Sequence, residues 1–146
     1  MQYKTRTLCT RTGTLSEKSQ RRAVSTEAAP AAIGPYSQGI LCGNLLFISG
    51  QLPIDPASGA LVEGSVEEKT RRVLSNARAV AEAAGARLED TVKTTVFLKD
   101  MKDFAAMNGV YGEFFSGTPP VRAAIQVAAL PKDADIEIEA VVYLPD

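Results

Sequence analysis

An α+β domain with two helices on one face of a mixed sheet is the fold this sequence predicts, and three observations carry it. Two segments space their apolar residues as helices do, one after Ser65 and one after Asp100, and a run rich in β-branched residues separates them. A Gly-Asn pair between two short apolar runs marks a hairpin ahead of the first helix. Two further strand-like runs close the chain, so the predicted order is ββαβαββ. At 146 residues the chain is one domain's worth and long enough to bury a core.

The hairpin comes from "SQGILCGNLLFISGQ". Ser37–Leu41 and Leu45–Ser49 are its strands, and Gly43 and Asn44 tolerate the positive φ of its turn. Pro53, Asp55, Pro56 and Ser58-Gly59 form a turn-rich loop. Ser65-Val66-Glu67-Glu68 fits a capping box. Val66, Val73, Leu74, Ala77, Val80, Ala81 and Ala84 then define one apolar helical face, which Gly85 ends. In "DTVKTTVFLKD", Val92, Thr94, Val96 and Leu98 alternate with Lys93, Thr95, Phe97 and Lys99, as in a half-buried strand. Asp100 to Phe115 reads as the second helix, stopped by Gly117, Pro119 and Pro120. The last strands run about Val121–Ala129 and Ile136–Leu144.

Composition removes whole classes of chemistry. There is no histidine, so Ser-His-Asp and Cys-His catalysis lack their base, and the commonest zinc ligand is missing. The two cysteines, Cys9 and Cys42, form no CxxC, and a disulfide framework is not expected; the chain reads as cytosolic or organellar. No apolar stretch approaches a membrane span. Charge is uneven: residues 1–26 hold six Lys/Arg against one acid, and residues 27–146 hold ten against sixteen. Residues 1–25 therefore read as a basic, disordered leader, either a transit peptide or an extension from a start codon placed too early, ahead of a folded domain over residues 26–146. The acidic balance of that domain gives no expectation of nucleic-acid binding.

Candidate chemistry gathers in a few places. Arg122 lies among Val121, Ala123, Ala124 and Ile125. Such an Arg is either an edge-strand residue reaching solvent with its head or an anion clamp whose planar fork grips a carboxylate. Glu137 and Glu139 alternate with Ile136, Ile138 and Ala140. They form either the solvated face of an amphipathic strand or a carboxylate that activates water. Tyr36, in "GPYSQG", is a turn residue or a pocket hydroxyl. Cys42 has no cation nearby in sequence to make it a nucleophile.

Taken together, "APAAIGPYSQG" (29–39), "ISGQLPIDPASG" (48–59), "NARAVAEAAG" (76–85), "DTVKTTVFLKDMKDFAAMN" (90–108) and "VRAAIQVAALPKDADIEIEA" (121–140) resemble the reactive-intermediate imine/enamine deaminase family, RidA, from about Thr26 to Tyr143. The resemblance implies a chorismate-mutase-like subunit in a homotrimer, with a site in each cleft between subunits. It implies hydrolysis of 2-imino acids and their enamine tautomers, such as 2-aminoacrylate and 2-aminocrotonate, to 2-ketoacids and ammonia, without cofactor or metal. These compounds are released by pyridoxal-phosphate-dependent serine and threonine dehydratases, and a cytoplasmic location follows unless the leader is a mitochondrial or plastid transit peptide. By the same resemblance Arg122 grips the substrate carboxylate, Glu137 positions the attacking water, and Tyr36, Ser49, Gly50 and Asn108 line the cleft. Tyr36 would also take part in the chemistry.

Two departures stand out. Many family members carry Cys two residues after the arginine, where this chain has Ala124, and "SGTPP" before Arg122 is a few residues short. The family is also credited with endoribonuclease and translation-inhibitor activity, and a trimer cleft with an Arg clamp would equally suit metabolite binding or a chaperone-like role.

Overall fold

The computed structural model describes residues 21–145. Six strands form one sheet, and two α-helices pack on it. In chain order these are β1 (Arg22–Val24), β2 (Gly39–Cys42), β3 (Leu45–Gln51), α1 (Val66–Ala83), β4 (Thr91–Leu98), α2 (Phe104–Phe114), β5 (Val121–Gln126) and β6 (Ile136–Tyr143). The spatial order is β1-β2-β3-β6-β4-β5. Only β4 and β5 run parallel, joined by α2, so the sheet is mixed, as expected.

Local chemistry accounts for most boundaries. Gly43, at φ 60°, and Asn44 close the two-residue hairpin between β2 and β3. Ser65 caps α1 in the expected box: its side chain accepts from the Glu68 N–H, and the Glu68 carboxylate accepts from the Ser65 N–H. Gly85, at φ 85°, follows the end of that helix. The second helix begins later than expected. Asp100 caps a short 3₁₀ turn, Met101–Asp103, and α2 proper starts at Phe104.

The core lies on one face of the sheet. Val73 and Leu74 of α1, Met107 of α2, Val96 and Leu98 of β4, and Ile136 and Ile138 of β6 meet in the main cluster. Val80 and Ala81 of α1 pack in a second cluster with Leu46, Ile48, Ala140 and Val142. Five of the α1 positions predicted by spacing, Val73, Leu74, Ala77, Val80 and Ala81, are buried, while Val66 and Ala84 are only partly so and the polar Thr70 and Asn76 are buried as well.

Three expectations about the strands need correction. Arg22–Val24, assigned to a disordered leader ending at residue 25, forms a strand that pairs antiparallel with β2, and Val24 is buried. A three-residue edge strand has too little pattern to read in sequence, and pairing to a preformed neighbour stabilises it. Residues 1–20 lie outside the described residues. Val92, expected to share a face with Thr94, is exposed because the β4–β6 register shifts between Thr91 and Lys93. The fifth strand also ends sooner than the predicted Ala129, at Gln126.

Candidate functional site

On the face away from the helices, residues of β3 and β6 and the loop before β2 line an open pocket of about 540 Å³. Tyr36, Ser49, Gly50 and Glu137 all line it. Glu137 reaches this face by strand alternation, since Ile136 and Ile138 beside it point into the core. Its carboxylate lies hard against Gly50, where an added Cβ would overlap it. Glycine at position 50 is therefore what lets the acid sit there. Burial, with the neighbouring Glu139 carboxylate adding to it, pushes the Glu137 carboxyl above its ordinary value. No hydrogen bond or ion pair among the described residues engages it.

Two hydroxyls share the pocket. Ser49 Oγ donates to the Ser37 carbonyl at 2.6 Å, which commits its proton and leaves its lone pairs to accept. Tyr36 Oη accepts from the Ile33 N–H at 3.3 Å and keeps its own proton to donate. Beneath them, Gln38 fixes the loop and is 5% exposed. Its Nε2 donates to the carbonyls of Thr26, Ala29 and Pro30, and its Oε1 accepts from the Thr26 N–H. Buried Asn76 on α1 likewise donates to the Leu52 and Ile54 carbonyls and sets the far wall. Sequence reasoning missed both. A lone amide carries no pattern, and only the buried donors reveal the role.

Arg122 and Asn108 lie elsewhere. Arg122 pairs in register with Thr94, whose side chain is buried under α2, so Arg122 sits on the helix side at the free edge of the sheet. Its guanidinium carbon is 4.6 Å from the centroid of the Tyr111 ring and 5.5 Å from that of Phe104. Asn108 is exposed and lies on the helix stripe that Phe104 and Tyr111 define at i+4 and i+7. Glu137, two strands away and opposite Phe97, faces the other side. One chain therefore assembles an acid–hydroxyl pocket on one face and a guanidinium on the other, and it does not bring the two together.

The open face is apolar. Phe47, Val121, Ile125 and Tyr143 expose 45%, 69%, 44% and 43% of their surfaces there. Among the described residues, no three His, Cys, Asp or Glu side chains are placed to hold a metal ion, and no helix is long and apolar enough to cross a membrane.

This arrangement defines a class: small α+β proteins with a half-open sheet and an acid–hydroxyl pocket on its uncovered face. Within that class, residues 26–144 match the family described as Endoribonuclease L-PSP, and the chain belongs to this family, which includes the RidA proteins. A RutC family protein of Pyrococcus horikoshii is 54% identical over 84% of this chain and 98% of its own length. A 2-iminobutanoate/2-iminopropanoate deaminase of Capra hircus is 52% identical over 83% of this chain and 88% of its own. The crystal structure of E. coli TdcF with bound serine superposes with a TM-score of 0.81 at 42% identity, covering 85% of this chain and 99% of the other.

Proposed function

We propose that the protein hydrolyses small 2-imino acids and their enamine tautomers to 2-ketoacids and ammonia. The observation that carries this reading is the Glu137 carboxyl: half-buried, without a partner among the described residues, raised above its ordinary value and in one pocket with two hydroxyls of opposite hydrogen-bonding sense. That is the equipment a water-activating base needs. A chain 52% identical that bears the deaminase name supports it.

The chemistry asks little else. In a protonated imine the carbon is already electrophilic. Glu137 takes a proton from water as the water oxygen bonds to that carbon and the C=N electrons move to nitrogen. Glu137 returns that proton to the carbinolamine nitrogen, and as ammonia leaves and the C=O forms it takes the hydroxyl proton. Ser49 Oγ accepts from the iminium N–H, and the Tyr36 hydroxyl donates to the developing oxygen. Arg122 binds the α-carboxylate with two parallel N–H donors. The serine held by the E. coli relative is itself an α-carboxylate ligand.

Because one chain holds Arg122 and Glu137 on opposite faces, Arg122 in this reading comes from a second copy. The uncovered apolar face gives such a copy its docking surface, and closed cyclic assembly, a trimer in this proposal, completes one site per interface. Dehydratases that eliminate water from serine or threonine supply the substrate class.

The test couples a threonine dehydratase to the protein and follows 2-ketoacid release while semicarbazide traps free imine. Faster release with protein than without supports the reading. An unchanged rate, with hydrolysis of RNA instead, would move the protein to the nuclease activity that its family's description names.

A further inference from the structure

We infer that Tyr111, backed by Thr94 and flanked by Phe104, is a positioning residue that holds the Arg122 guanidinium on an aromatic platform and leaves its N–H edge free for a carboxylate. The inference rests on the reading of Arg122 as the carboxylate clamp.

An arginine on an exposed edge strand loses side-chain entropy when it is fixed, so something must fix it. A carboxylate partner would do so, but it would occupy the donors that substrate needs and offset the charge. No ion pair of that kind reaches Arg122 among the described residues. Two rings take its place, with centroids 4.6 Å and 5.5 Å from the guanidinium carbon, both within cation–π range. Cation–π attraction to the rings consumes no carboxylate acceptor and leaves the guanidinium N–H groups to other partners.

The platform is itself held. The Tyr111 hydroxyl and Thr94 Oγ1 are 2.6 Å apart and buried, tying α2 to β4. At the ring's other side Phe115 packs at 4.6 Å between centroids, tilted 43°. Thr94 is also the residue opposite Arg122 in the β4–β5 ladder, so the strand that carries the arginine and the hydroxyl that pins the ring share one register position. Burial pushes the Tyr111 hydroxyl above its ordinary value, so the ring stays neutral beneath the cation. The sequence shows Tyr111 only as one of several apolar helix residues.

The test joins spectroscopy to kinetics. In ¹⁵N-labelled protein the Arg122 Nε–H resonance, assigned by its loss in Arg122→Ala, is expected to be ring-current shifted. Tyr111→Phe should keep that shift and Tyr111→Leu should lose most of it. Thr94→Val, which preserves shape, provides a second variant and should broaden or partly reverse it. With 2-iminobutanoate as substrate, Tyr111→Leu should raise KM about 10-fold with kcat within about twofold, and Tyr111→Phe should restore most of the loss. In an Arg122→Ala background Tyr111→Leu should cost nothing more. An Arg122 resonance at the free-arginine position in the unsubstituted protein, or one that Tyr111→Leu leaves in place, overturns the inference. So does an equal loss in both backgrounds, which would make Tyr111 merely structural. A shifted resonance that Tyr111→Leu abolishes, in a protein that turns over no imine, would keep the platform and reject the deaminase reading.

Discussion

Both faces of this sheet carry large apolar residues, and these end in opposite states. On the helix side Val96, Leu98, Ile136 and Ile138 are 1% exposed or less. On the other side Val121, Phe47, Ile125 and Tyr143 are among the most exposed large apolar residues among those described. A large apolar side chain alone therefore does not mark the finished face; the charged residues Lys93, Glu137 and Glu139, on the other parity, mark the open one. The described residues complete the helix side, while none of their helices covers the open side. The two proposed site residues divide in the same way: Glu137 belongs to the open side and Arg122 to the edge of the covered side.

The largest effect that would test this division is on turnover. Glu137→Gln should lower kcat by about 10²- to 10⁴-fold while 2-ketobutyrate binding, measured by calorimetry, changes little. Retained turnover would pass the water to Glu139 or a backbone carbonyl. Next comes packing. Ile138→Ala on the finished side should cost about 2–5 kcal/mol in urea unfolding, whereas Ile125→Ala should cost under about 1 kcal/mol if the open face stays bare. A cost at Ile125 that matches Ile138 would show that assembly buries it. Arg122→Ala should then reduce kcat/KM by about 10- to 150-fold, the loss of one charge-assisted bidentate contact, with the particle mass by light scattering unchanged. A mass that falls to one chain would make Arg122 a structural contact.

The smallest effect is on pH dependence. The folded-state value of Glu137 is raised by burial first and Glu139 second, above an unfolded value of 4.5. Between 4.5 and the raised value the folded chain binds more protons than the unfolded one, so this group lowers stability as pH rises through that window. Glu137→Gln removes the penalty. Its Tm should exceed that of the unsubstituted protein at pH 7, and the difference should vanish below about pH 4. An acid limb in kcat above 4.5 that disappears in the variant would tie the same group to catalysis.

Much of this was legible before any coordinates. Ser65 and Glu68 announce a helix start by a mechanism confined to four residues, and Gly43-Asn44 announces a hairpin by one confined to two. Alternation in β6 separates Ile136 and Ile138 from Glu137 and Glu139, since parity within a strand is local. What was not legible depends on partners distant in sequence. The opposition of Arg122 and Glu137 follows from which residues β4 meets on each side, Thr94 with Arg122 and Phe97 with Glu137. The exposure of Val92 follows from a bulge that one strand's sequence does not encode. Short β1 exists because β2 is there to receive it.

The contact between Gly50 and Glu137 makes two distant codons behave as one trait. Any side chain at position 50 meets the Glu137 carboxylate and displaces it from its present place, so the two positions are coupled. Once residue 137 is shortened, position 50 becomes free to vary. A lineage that gives up the acid can therefore drift into new pocket shapes at the other site, and restoring the present arrangement would then require two reversions, glycine first.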